Sequence, residues 1–240
     1  MKHILTVAIS TLCSMSVFAE TPTVRIHRYG ELRLAWNNEI ALVYKESSPT
    51  GAVIYQQSNS YSPYGSQAER RDFGMSNYTA LSVVGPLVSY AAKWYGEGGA
   101  HPSYGTLFAA FDMQTQKKAN LKEYFSEPQI LTALLTDSLL KPRVRNIQKV
   151  HTLTEFFKQA DGGCELAIHD DILESFAFHH IKADRVAIRI GIPHGCEVNR
   201  GDFHQIGFYL PLPPKLKAAL QIAEEQKTLM IHLAPNAFMK

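Results

Sequence analysis

The chain has 240 residues, 45% of them apolar and 19% charged, and a formal net charge of +2. That composition supports a sizeable core. It offers no concentrated positive charge for nucleic acid or an anionic membrane surface, because the basic residues are spread rather than blocked together. At this length one domain is the expectation.

The first residues read as an address. Lys2 and His3 make a basic start, residues 4–12 form a short apolar run, and Val17, Phe18 and Ala19 lead to Glu20 in a small-x-small pattern. A signal peptide spanning residues 1–19 and cleaved after Ala19 is expected, giving a periplasmic or secreted protein with residues 20–240 as one domain. Leu12 rather than a small residue precedes Cys13, which argues against a lipoprotein. No later run reaches the roughly 20 apolar residues of a membrane-spanning helix, so no span is expected in the mature chain. Cleavage removes Cys13 and leaves Cys164 and Cys196, an even pair that in an exported protein predicts a disulfide. A thiol nucleophile or a metal-binding pair is the competing reading, weakened by the lack of CxxC spacing.

Residues 24–29, 32–36 and 40–44 alternate as strands, with Gly30 between the first two and a turn expected at Pro49, Thr50 and Gly51. Residues 56–77 are poor in aliphatic side chains and rich in Ser, Tyr, Gln and Asn. They read as a long exposed loop or irregular edge segment, either poorly ordered or functional. Tyr55, Tyr61, Tyr64 and Tyr78 suit a contact surface there. Residues 78–84 and 87–95 flank Gly85 and Pro86 as neighbouring strands, and the glycines of residues 96–99 allow a tight reversal. Residues 103–113 are apolar on both faces, which predicts a covered central strand.

Ser126, Glu127 and Pro128 announce a helix whose core face carries Ile130, Leu131, Leu134, Leu135 and Leu139, ended by Lys141 and Pro142. Thr152 or Thr154 caps a shorter one stopped by Asp161, Gly162 and Gly163. Strands resume at residues 165–168, 175–181, 185–190 and 208–212. A last helix runs from Pro213 and Pro214 to about Lys227, with an apolar tail over residues 229–238. Strands and helices do not alternate regularly. The expected class is therefore α+β: antiparallel sheets packed with two to three helices, the C-terminal helix docked on a sheet.

Two stretches resemble one known family. Residues 95–125 contain Gly98, Gly99, Ala100 and His101, then a strand, a turn at Asp112 to Thr115, and Leu121, Tyr124 and Phe125. Residues 180–211 form a hairpin followed by Ile192, Pro193, His194 and Gly195, then Gly207 and Phe208 through Pro211. This order is similar to a domain-of-unknown-function family found in the extracellular part of the lysozyme-sensing anti-sigma factor RsiV and attached to some cell-wall polysaccharide deacetylases. The likeness covers about residues 78–225. Gln116 stands where the family usually has a turn glycine. The resemblance implies the fold class and an envelope setting suited to ligand binding. Neither a sigma-binding segment nor a deacetylase domain is recognisable, so those roles are not carried over.

His101 is the leading candidate site residue, in a glycine-rich turn beside Tyr95, Glu97 and Tyr104. The alternative is that its ring pins the turn by bonding a neighbouring carbonyl. His169 with Asp170 and Asp171, and His179 with His180, invite a metal reading. Adjacent residues on a strand point to opposite faces and do not converge, so neither metal nor cofactor is expected. No G-x-S-x-G elbow occurs. The expectation is a non-enzymatic binding module contacting its ligand through His101, Tyr95, Glu97, Tyr104, Tyr61 and Tyr64. The ligand implied is a lysozyme-like hydrolase or peptidoglycan glycan. The other reading is a peptidoglycan-directed hydrolase with His101 as general acid/base.

Overall fold

A computed structural model describes residues 23–60, 73–97 and 102–235. The expected signal peptide, Tyr61, Tyr64 and His101 lie outside the described residues. Four strands, β1 (Arg25–Tyr29), β2 (Leu32–Trp36), β3 (Ile40–Lys45) and β4 (Ser48–Gln56), form an antiparallel meander in that order. A second antiparallel sheet runs β5 (Ser58–Ser60), β6 (Phe73–Val84), β7 (Leu87–Glu97), β8 (Ser103–Asp112) and β9 (Lys117–Lys118). The third contains β10 (Phe176–Lys182), β11 (Arg185–Pro193) and β12 (Phe203–Pro211). Helices α1 (Glu127–Thr136) and α2 (Leu153–Gln159) separate the second sheet from the third, and α3 (Lys217–Glu225) and α4 (Met230–Leu233) follow it. The class is α+β, and mostly β.

The five-stranded sheet is the middle layer. Leu34, Trp36 and Val43 of the first sheet bury against Ala80, Val83 and Val88 on one face of it. Leu81, Ala91 and Phe108 on the other face bury against Ala177 of the third sheet and Met230 of α4. The remaining face of the third sheet, with Phe178, Ile188 and Ile206, joins Ile130, Phe156 and Leu220 of the helices in the largest core cluster. Strand alternation explains how one sheet serves two cores.

Both central helices start where local chemistry directs. The Gln129 side chain accepts from the Ser126 amide at 3.0 Å, and Thr152 and Glu155 cap each other's amides at 3.1 Å. The first helix stops at Thr136, short of the expected Lys141–Pro142 boundary. The Asp137 carboxylate accepts from the amides of Leu139 and Leu140 at 2.8 and 3.1 Å and turns the chain early. Helix α3 docks as expected, with Leu216, Leu220 and Ala223 buried. It approaches the β6–β7 turn so closely that a Cβ on Gly85 would lie 2.9 Å from that of Ala219. Thr228 clamps the end of the helix: its amide oxygen accepts from Val83 N at 2.8 Å and its hydroxyl donates to Val83 O at 2.7 Å. The tail docks through buried Leu229 and Met230. Among the described residues no helix is long and apolar enough to cross a membrane.

Several expectations are corrected. Pro49, Thr50 and Gly51 do not turn the chain: they lie within β4, where Ser48 pairs with Lys45 and Ala52 with Val43, a bulge opposite Tyr44 on an edge strand. The reversal falls at Glu46 and Ser47. The 56–77 segment is strand at both ends, with β5 at the edge of the middle sheet and Phe73 opening β6. Tyr55 and Tyr78 are not a contact surface. Tyr55 is 3% exposed, stacked on Tyr78 at 4.8 Å, and its hydroxyl donates to Asn37 O at 2.6 Å inside the first interface. Residues 165–168 bury Leu166 and Ile168 but form no strand: Ala167 N reaches Pro193 O at 2.9 Å, while Leu166 N turns back to Gly162 O at 3.2 Å. Strand β8 is interior and covered, with Phe108 and Phe111 in different core clusters, but β7 is the middle strand and β9 pairs with only Phe111 and Asp112 of β8.

Phe108 is 1% exposed and stands where the middle and third sheets meet. Phe108→Ala is expected to cost about 3–5 kcal/mol through lost burial and the cavity left behind. Urea unfolding measures this; a loss below about 1 kcal/mol would mean the two sheets do not depend on this seam.

Candidate functional site

The longest strands carry Tyr95, Glu97 and Tyr104 to one end of the middle sheet. Tyr95 of β7 sits directly opposite Tyr104 of β8, so the two side chains share a face. One residue back along each path, Trp94 faces Gly105, and the Trp94 ring occupies the place of a side chain there: an added Cβ would meet ring atoms at 3.0–3.1 Å. Glu97 ends β7 opposite Phe73. Its side chain lies outside the described residues, as does His101 between Glu97 and Ser103.

Tyr104 is 43% exposed, and its inner side rests on backbone. The ring lies over Gly201, whose φ of +88° and lack of a Cβ both suit the contact, since any side chain would overlap the ring. Five residues before that glycine, Cys196 is bridged to Cys164. Cys164 O accepts from the amides of Gly195 and Cys196 at 3.0 and 3.1 Å, and the tight turn Glu197–Asn199 follows. Its tip residue Val198 is 77% exposed. The predicted disulfide therefore anchors the start of the segment that leads to the floor beneath an exposed tyrosine.

A second cluster was not predicted. Strand β10 carries a bulge at His179, between the pairs Phe178–Ile188 and His180–Ala187. The extra residue breaks the alternation, and both imidazoles fall on one face instead of opposite ones. Their Nδ1 atoms are 2.7 Å apart, and His180 Nε2 is 2.8 Å from the Tyr209 hydroxyl. Arg189 of β11 lies across Gly207 of β12 on the same face. Burial foremost, then the Arg189 charge and His180, pull the His179 imidazole down to about 4. Burial also lowers His180, against a contrary pull from Glu224 of α3. Neighbouring histidines are visible in the sequence; the bulge that makes them converge has no local signature.

Among the described residues no group of three or more His, Cys, Asp or Glu is placed to hold a metal ion. His169 occupies the N-cap of the turn Asp170–Glu174, so Asp170 sits inside it rather than capping it. A groove of about 480 Å³ runs between α1 and β12, lined by Pro128, Thr132, Ala133, Phe208 and Pro211. Neither Tyr95 nor Tyr104 lines it.

The lowered imidazole has a signed consequence. Between pH 6.5 and about 4 the unfolded chain holds the His179 proton and the folded chain does not, so stability falls as pH falls through that window. His180 acts in the same direction. Urea midpoints near neutral pH and at about pH 4.5 are expected to differ more for the wild type than for His179→Gln. Equal losses in both would place the sensitivity elsewhere.

Comparison with known protein families, with curated proteins and with solved structures finds no match.

Proposed function

We propose that this chain is a non-enzymatic binding module of the bacterial cell envelope, exported behind residues 1–19 with cleavage after Ala19. Its docking surface centres on Tyr95 and Tyr104. The neighbouring Glu97 and His101, together with Tyr61 and Tyr64, complete the contacts expected from sequence. The ligand is a lysozyme-like hydrolase or peptidoglycan glycan, in keeping with the resemblance of residues 78–225 to an extracytoplasmic family.

One observation carries this reading: Tyr104 is exposed yet backed by the Gly201 backbone and placed opposite Tyr95. A tyrosine already held in place loses little freedom on binding, and its amphipathic ring serves both protein recognition and stacking on a sugar face. Aromatic anchors of this kind dominate interface energies. The disulfide accords with an oxidising compartment outside the cytoplasm.

The test is retention of the protein on immobilised lysozyme and on insoluble peptidoglycan, wild type against Tyr104→Ala. Retention on one of them, weakened at least about tenfold by the substitution, supports the reading. No retention on either, or equal retention of both proteins, removes it. Release of soluble fragments from peptidoglycan that disappears in His101→Ala would favour the hydrolase instead.

A further inference from the structure

The third sheet presents a basic group that nothing in the described chain answers. Arg189 is half-buried and spans Gly207, where a Cβ would overlap its guanidinium. Among the described residues its guanidinium makes no hydrogen bond or ion pair. A guanidinium has five N–H donors, and those of Arg189 are open to solvent rather than taken up by an acceptor of the described chain. Its charge acts on His179 and His180 beside it.

The two histidines and Tyr209 form a chain with one donor to spare. A single proton lies between the Nδ1 atoms, which fixes the roles along the chain. When His180 donates to His179, Tyr209 donates to His180 Nε2 and the His179 Nε2–H is left over. When His179 donates, His180 Nε2–H donates to Tyr209 and the phenol proton is left over. In either tautomer a donor remains beside Arg189 with no acceptor among the described residues. The surroundings are otherwise positive on balance. Lys182 of β10 adds to the positive charge, Arg185 of β11 lies 5.7 Å from the Tyr209 ring centre, and Glu224 of α3 is the single acid that acts on His180.

We propose that Arg189, His179, His180 and Tyr209 form a binding site for a small oxyanion group, a carboxylate or a phosphate. The guanidinium takes two oxygens in its fork, and the spare proton of the histidine–tyrosine chain takes one. Gly207 is required because the guanidinium must lie flat on the sheet to present its edge. The site is separate from the Tyr95–Tyr104 surface: Tyr209 is six residues, roughly 20 Å, along β12 from Phe203, where the strand begins. It stands or falls without the reading given above. A bound anion favours the charged imidazole, so binding takes up a proton and tightens as the solution is acidified from neutrality.

The experiment is an NMR titration of the histidine rings of the purified protein with sodium acetate and with inorganic phosphate, at constant ionic strength set with sodium chloride. The expected result is a saturable shift of the His179 ring with one of the two. The apparent imidazole pKa should rise on binding, and Arg189→Gln should weaken the binding at least about tenfold. Arg189→Lys, which keeps the charge and loses the fork, should bind with intermediate strength. Tighter binding of acetate identifies a carboxylate ligand, and tighter binding of phosphate a phosphate ligand. Chloride producing the same shift, no saturation with either anion, or an Arg189→Gln protein that is folded and binds unchanged would overturn the proposal. So would displacement of the anion by a divalent cation that takes both imidazoles.

Discussion

The approach of the third sheet to the middle one at Gly191 is the contact the rest of the molecule depends on. A Cβ at that position would meet Phe203 Cζ at 2.6 Å and Phe108 Cγ at 2.8 Å. With no side chain present, the two rings pack 5.0 Å apart over the strand, joined by small Ala91 and Ala177. Close packing across this seam brings the outer margin of β10 against the middle sheet, where the Phe178 amide donates to the Ser82 hydroxyl at 3.2 Å. An edge strand that would otherwise offer an unpaired amide is thereby closed. The same seam carries the start of β12 to β8, which is how Gly201 comes to lie under Tyr104.

Two bulges then decide which side chains meet. On β6 the register shifts between Ala80 and Ser82, so Leu81 enters the seam and Ser82 also reaches the third sheet. On β10 the shift at His179 puts two imidazoles side by side. Each bulge costs a ladder position and returns a pair of neighbours on one face that a regular strand cannot supply. The outcome is a molecule with an aromatic pair at one end of its middle sheet and a basic cluster on the face of its third.

How much was legible follows from the range of each interaction. Ser126 with Gln129 and Thr152 with Glu155 are three residues apart, so the helix starts could be read directly. The cysteine pair followed from counting and compartment, and the C-terminal helix from its apolar face. The same local rules misplaced the turn at Pro49, Thr50 and Gly51, because β4 absorbs those residues into a bulge opposite β3. They also put Tyr55 and Tyr78 on a surface, when Tyr55 of the first sheet stacks on Tyr78 of the middle sheet in the interface between the two. Of the candidate site, Tyr95 and Tyr104 were legible as residues on strands flanking one turn. The support beneath Tyr104 was not, since Gly201 is nearly a hundred residues away in the chain.

Taken alone, the order of amino acids determined the class of fold, the starts of the two central helices set by capping side chains, the sulfur partners and the strands that bear the two tyrosines. These rest on periodicity, on hydrogen bonds a few residues long and on parity, all of which act within a short window. Only the tertiary structure decided which faces are covered, where alternation is broken and which distant backbone lies beneath an exposed ring. Those are properties of two surfaces brought together, and no single segment carries them.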